Sequence, residues 1–357
     1  MQNESPVGPS RRRLLEVAGV AAGALATPYF FTRSAAAQDP KRIVVYNFDG
    51  VVGQFYTDNW IKPFQEKFDV KVDTILIAGS EAPLEKLIAQ VKAGRPESDV
   101  IYLQPPALVI AERNNMFIPL DGKLPEAAKY PADYMTTWGP KLTPYCYGLA
   151  YNTAKMKTPP TRWRDMWDPA YKKQVAINDA IFEQALQMVN LTFTGSMTPI
   201  NAATFQHLTE LRPNLASLWS TGAQAEQLFR TGEIIMSPLW NGRTFALADQ
   251  GVPVDFVVPE EGMLVRWNSA SVPRGSRNPD LAIQYINYIM GDGPQQLLVD
   301  KLFYASPNRN VTYTANTARR VALAGEQNMR RARFEDFVAI ADQKGEWAKQ
   351  WEVWKSS

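Results

Sequence analysis

The chain has one cysteine, Cys146, and one histidine, His207, in 357 residues. An internal disulfide needs two thiols, so none can form. A zinc site, a cysteine-histidine pair and a serine-histidine triad each need more of these side chains than the chain possesses. No Walker-type loop and no G-x-G-x-x-G stretch occurs, so nothing marks a turn built to cradle phosphate. The N-terminal apolar run, residues 17–31, is short at about fifteen residues, where a membrane span takes about twenty. Net charge is almost absent, at a formal +2, and four Arg against two Glu in residues 1–37 account for all of it. From residue 38 onward the chain is near neutral, so it has no bulk attraction for nucleic acid or an anionic membrane. No cofactor, no metal and no catalytic residue is expected. The paired carboxylates Glu260-Glu261 would suit a glycosidase, but they sit in an expected turn.

What the N-terminus does have is an export signal. Ser10-Arg11-Arg12-Arg13-Leu14-Leu15 precedes the apolar run, and Ala35-x-Ala37 places cleavage before Gln38. Twin arginines ahead of a modest apolar segment mark the twin-arginine type. The expected location is therefore the periplasm, with no stable membrane insertion of the mature chain. No cysteine follows the signal, so lipid anchoring is not indicated, and a lone cysteine in an oxidising compartment is expected to be buried.

The mature chain of roughly 320 residues can hold two lobes with their own cores. Residues 41–47 read as a strand ending at Phe48-Asp49-Gly50, helical spacing follows over 56–68, and a second strand lies around 70–77. A helix over 83–92 then leads to a buried strand over 99–103 that ends at Gln104-Pro105-Pro106. Sites in open α/β sheets lie beyond the carboxyl ends of such strands, which nominates Phe48, Asp49, Ser80 and Gln104; Asp49 and Ser80 are also ordinary turn or helix caps. Residues 175–177 form a short strand before Asn178-Asp179-Ala180 and a helix from Ile181, where Asp179 suits a cap. Trp347, Trp351 and Trp354 fall on one helical face and read as packing.

Residues 234–273 are the most informative stretch. An apolar run ending at Met236 reads as a buried strand, Thr244 to Asp249 as a short helix, and Val254, Phe256 and Val258 alternate as a strand does. Trp240-Asn241-Gly242 and Trp267-Asn268-Ser269 each set a large aromatic beside an amide at a strand end. Singly, each tryptophan is most simply a packing residue; together they read as walls of a small-molecule site.

This stretch resembles the spermidine/putrescine-binding proteins of ATP-driven bacterial importers. Their W-N-G turn, their G-x-P-[IV]-D-x-V-x-P-x-E-G strand and turn, and their W-x-S-x-x-[IV]-P crossing stand here in order at 240–242, 251–262 and 267–273. Residues 163–172 resemble the family's W-x-D-[LM]-W-x-P-x-Y-K segment, and Phe303-Tyr304-Ala305-Ser306-Pro307-Asn308 resembles its G-Y-x-[TS]-P-N element. The resemblance implies an α/β periplasmic binding protein fold of two lobes with the ligand cleft between them. It divides the chain into a signal peptide (1–37), first lobe (38–146 and 267–305), second lobe (147–266) and a C-terminal segment packing on the second lobe (306–357). It implies a monomer that closes about a hinge and hands a small-molecule solute to the permease subunits of an ABC transporter. Tyr147, Asp179 and Tyr304 are placed at the cleft by the resemblance alone, Asp179 as a carboxylate facing a ligand amine.

The chain departs from the family where a polyamine's second ammonium would be met. The family's glutamate is Phe182 here, its crossing aspartate is Asn268, and its first-lobe tyrosines fall on Val51 and Pro106. Glu183 is adjacent, but one helical residue turns about 100° away. Arg243 replaces a small residue and Arg266 precedes Trp267; each is expected at the cleft, where it would meet a ligand carboxylate, or on the solvated surface. The expected solute carries at most one amine and is zwitterionic or acidic, with putrescine or spermidine in a rearranged pocket as the other possibility. A secreted, sensor-linked binding protein and a Tat-exported enzyme are the alternatives to import.

Overall fold

A computed structural model describes residues 39–77 and 84–357; the signal segment, Ser80 and Pro83 lie outside the described residues. Two layers of strands organise the chain, each with helices of its own: a first sheet made of two two-stranded pairs joined by an isolated bridge, and a second, seven-stranded sheet.

The first sheet begins with β1 (Arg42–Asn47), whose Ile43, Val45 and Tyr46 are buried. A continuous helical run follows: α1 (Gly50–Tyr56), a π turn (Thr57–Ile61) and α2 (Lys62–Phe68). It starts six residues earlier than the sequence reading, because Val52, Phe55 and Tyr56 extend the apolar face of Trp60, Ile61 and Phe64. Next come β2 (Lys71–Leu76), α3 (Leu84–Lys92), β3 (Ile101–Leu103) and α4 (Pro105–Arg113). β1 pairs with β2 in parallel, and Val100, just before β3, bridges Val45. The short pair β4 (Met135–Thr136) and β5 (Gly139–Pro140) leads out of this lobe.

The second sheet is built on β6 (Tyr145–Asn152), every residue of which is buried. β7 (Val175–Asn178), α5 (Phe182–Thr194), α6 (Ala202–Leu211), β8 (Leu215–Trp219), α7 (Gly222–Thr231), β9 (Met236–Trp240) and α8 (Asn241–Asp249) follow. Thr221 caps α7 in a reciprocal box with Gln224, which sets that helix's start. β10 (Val254–Val257) and β11 (Met263–Arg266) both pair with β6. β9 begins where the sequence reading ended a strand. Pro238 in its centre, facing Leu149 of β6, is a residue that central strands seldom hold, and it masked the strand.

The chain returns to the first sheet through β12 (Ser269–Ser271), antiparallel to β3, and continues into α9 (Pro279–Ile289) and α10 (Asp292–Leu302). It then passes α11 (Ala315–Arg320) and α12 (Glu326–Met329), adds β13 (Ala332–Phe334) beside β11, and ends in α13 (Phe337–Ser356). The second sheet runs β13-β11-β6-β9-β7-β8. Trp347, Trp351 and Trp354 are buried, as their spacing predicted. Whereas the sequence reading set residues 306–357 on the second lobe, α13 packs on α4 of the first sheet as well as on α5 of the second. Arg113 in α4 pairs with Asp342 at 2.5 Å.

Candidate functional site

The carboxyl ends of β1 and β3, the start of α8 and the segments joining the two sheets converge on one cavity of about 30 Å³. That is room for a water or two, too little for an organic solute in this arrangement. Phe48, Val52 and Gln104 line it from the first lobe, Trp240 and Arg243 from the second, and Tyr145, Asn268 and Tyr304 from the joining segments. Tyr145 lies 5.4 Å from Tyr304 and 6.4 Å edge-on to Trp240 between ring centres. The wall is thus aromatic on three sides, suited to an alkyl stem or an ammonium.

The Trp240-Asn241-Gly242 turn has a local reason for each residue. Trp240 faces the cavity. Asn241 accepts from the Cys146 N–H at 3.0 Å and donates to the Phe303 carbonyl at 2.6 Å, tying the joining segments to α8. At Gly242 an added Cβ would meet the Leu302 carbonyl oxygen at 2.3 Å, so no larger residue fits.

Arg243 is the electrostatic centre. Its side chain is 6% exposed, and it donates to Glu226 Oε1 at 2.5 Å and to Asp49 Oδ1 at 3.0 Å. Both carboxylates also reach across the lobes. Asp49 accepts from the Ala223 N–H at the start of α7, and Glu226 of α7 accepts from the Val51 N–H at the start of α1. Burial pushes the Glu226 carboxyl above its ordinary value; Asp49 adds to the rise, and Arg243 and the Val51 N–H oppose it. Two carboxylates on one guanidinium leave an excess of one negative charge.

Arg266 forms a second, separate cluster. It is fully buried, with two parallel hydrogen bonds to Glu335 and one each to Glu183 and Gln104. Burial raises the Glu335 carboxyl and Arg266 opposes this. At Glu183 burial is outweighed by Lys344 and Arg266, so its carboxyl stays below the usual range. Neither arginine is a solvated surface group, because each is walled in by its own acids.

Six residues nominated from sequence line the cavity: Phe48, Gln104, Trp240, Arg243, Asn268 and Tyr304. Asp49 stands behind Arg243. Tyr147, Asp179 and Trp267 lie elsewhere. Tyr147 is fully buried against Trp163 and Trp240, and Tyr145, two residues earlier on the same face of β6 and nearer the crossing, takes the place at the cavity. Asp179 is held by the Trp351 Nε1–H at 2.6 Å and by Lys355 at 3.0 Å; the turn before α5 is tied by Asn178, which accepts from the Ile181 N–H, and the N-cap position is Ile181 with no side-chain cap. Trp267 lies under the Lys141 ammonium at 4.5 Å and edge-on to Phe337. Val52 and Tyr145 were missed; the alternation of β6 was the available signal for Tyr145. Phe182, the glutamate position of the family pattern, packs on Trp351.

Glu261 accepts from the Trp163 and Arg164 N–H groups, and His207 stacks on Phe193 at 3.6 Å. Among the described residues no cluster of His, Cys, Asp and Glu gathers as metal ligands would, and no helix is long and apolar enough to cross a membrane. Cys146 is buried.

Comparison with known proteins points to one family. The spermidine/putrescine-binding periplasmic protein of Salmonella typhimurium is 28% identical over 193 residues, 52% of this chain and 51% of that one, so the match spans about half of the relative's length. The gamma-aminobutyric acid-binding protein of Pseudomonas aeruginosa is 24% identical over 341 residues, 91% of this chain and 93% of that one. The PBP AgtB from A. tumefaciens R10, in complex with agropinic acid, shares the fold with a TM-score of 0.78 at 18% identity, over 88% of this chain and 99% of that one. The model of the bacterial extracellular solute-binding proteins matches residues 59–325, and the chain belongs to that family.

Proposed function

We propose that this protein is exported, takes up a small organic solute bearing one amine, alone or as a zwitterion, and presents it to the permease subunits of an ABC importer. The observation that carries the reading is the cavity between the lobes, with an aromatic wall and a single excess negative charge at Asp49, Glu226 and Arg243. A desolvated ammonium costs several kcal/mol unless it is paired, so one spare charge suits one ammonium. Asp179, the other carboxylate that a diamine would use, already holds Lys355 of the same chain. The relatives that bind spermidine, putrescine and gamma-aminobutyric acid by name bracket this class.

The same reading takes residues 1–37 as a signal cleaved before Gln38 and the mature protein as a periplasmic monomer. It places the lobe boundaries at the passages between β5 and β6, between β11 and β12, and near Tyr304. The working motion is hinge closure, favoured by a solute that touches both lobes.

The test is a thermal-shift and calorimetric panel of monoamines, ω-amino acids, opines, diamines, polyamines and small carboxylates at fixed pH and salt. A hundredfold excess over Kd stabilises the folded state by about 2.7 kcal/mol, a shift of a few degrees for a chain of this size. Monoamines or zwitterions should give the largest shifts. Putrescine or spermidine leading the panel would overturn the solute class, and turnover of any member would overturn the reading as a binder.

A further inference from the structure

Arg243 is held by two carboxylates that differ in kind. Glu226 lies on α7 of the same lobe, 2.5 Å from Nη1; Asp49 lies at the end of β1 in the other lobe, 3.0 Å from Nη2. Parting the lobes leaves Glu226 in place and carries Asp49 away. The guanidinium sits in a cradle made by two glycines: a Cβ at Gly222 would meet Arg243 Cζ at 2.2 Å, and one at Gly50 would meet Nη1 at 2.8 Å. Gly50 also adopts φ +59°, which disfavours any other residue.

The second observation lies on the neighbouring wall. The Trp240 indole N–H, in a residue 5% exposed that lines the cavity, finds no acceptor among the described residues. Arg243 Cζ stands 5.7 Å from the centre of that ring. A buried donor without an acceptor is costly, and its residue lines the same cavity as Arg243.

We infer that Arg243 and the Trp240 N–H form an anion subsite of the cleft, and that Asp49 is its built-in competitor. A solute carboxylate gains Arg243 by displacing Asp49, taking the hydrogen bond that Asp49 makes in the closed arrangement and satisfying the indole donor as well. Glu226 stays in place and keeps the arginine from gripping the anion too tightly for release. The solute class this selects is the ω-amino acids, whose carboxylate takes Arg243 and whose ammonium meets the displaced Asp49. The inference rests on reading this cavity as the solute site.

The test uses butyrate and n-butylamine, the same alkyl chain with opposite charge, titrated calorimetrically into the full-length protein and its Asp49→Asn and Trp240→Phe variants. Asp49→Asn is isosteric, and a thermal melt confirms its folding. It should tighten butyrate by about tenfold without tightening n-butylamine. Trp240→Phe keeps the ring and removes the donor, and should weaken butyrate several-fold while sparing n-butylamine. Butyrate that binds Asp49→Asn no better than wild type, or that binds neither protein, overturns the competitor role. Butyrate indifferent to Trp240→Phe removes the indole from the subsite. Tighter butyrate binding to Asp49→Asn, in a protein that takes no amine or zwitterion of the panel, keeps the subsite and overturns only the proposed solute class.

Discussion

Arg266 and Glu335 meet through two parallel hydrogen bonds, 2.6 and 2.8 Å long, with both side chains entirely out of solvent. Arg266 ends β11 at the passage back to the first sheet, while Glu335 lies between β13 and α13. This fork thus joins the passage between lobes to the C-terminal segment. Removing one partner of such a pair strands the other charge in a dry interior. Glu335→Ala should cost about 3–5 kcal/mol, read from urea unfolding. A loss below about 1 kcal/mol would mean that Glu183 alone satisfies Arg266.

Glu226 sets a pH dependence. Its carboxyl is raised in the folded protein, chiefly by burial, so the native state holds a proton there more tightly than the unfolded chain does. The stability from that proton is present below the unfolded pKa and is lost as pH rises through the folded one. Glu226→Gln removes the term, so the variant should gain on wild type as pH rises from the ordinary glutamate range through the raised folded value. Parallel unfolding profiles for the two proteins would contradict the assignment.

Two glycines in helices should respond with opposite signs. Gly345, inside α13, has nothing within 4 Å of an added Cβ, and Gly345→Ala should stabilise by about 0.5–1 kcal/mol. Gly222→Ala drives a methyl into the Arg243 guanidinium, which its buried cradle does not let retreat. It should destabilise by about 1–3 kcal/mol and weaken solute binding. Equal melting points for the two variants would show that Arg243 has a second seat.

Asp179 and Lys355 make a pair about a quarter exposed, at the edge of α13. Lys355→Met should cost at most about 1 kcal/mol. Because Asp179 does not border the cavity, Asp179→Asn should change affinity for the tightest panel solute less than about threefold, whereas Trp240→Ala should lower it at least tenfold. A large loss in Asp179→Asn would place that carboxylate on the solute after lobe movement.

The elements themselves were largely legible. Alternation marked β10, helical spacing marked α13, and turn residues bracketed the motif at 240–242. Where local signals conflict with burial, burial won: Pro238 sits in the centre of β9 because β6 covers it, and α1 begins at Gly50 because Val52 and Phe55 extend the buried face. Phe48, Gln104, Trp240 and Asn268 could be named in advance because strand ends and aromatic-amide turns are local patterns, whereas Arg243 and Tyr304 came only through the family resemblance.

By itself the sequence determined the fold class, the likeness to polyamine-type binders and the loss of their second carboxylate set. These are properties of residue type and order along the chain. The tertiary structure decided which charges cancel. Asp49 and Arg243 are 194 residues apart, Arg266 and Glu335 are 69 apart, and Asp179 and Trp351 are 172 apart. No local pattern encodes such pairings, since each depends on how two sheets and a C-terminal helix pack. It is that packing which made both arginines, expected at the cleft or on the surface, buried and acid-bound, and set Tyr145 rather than Tyr147 at the cavity.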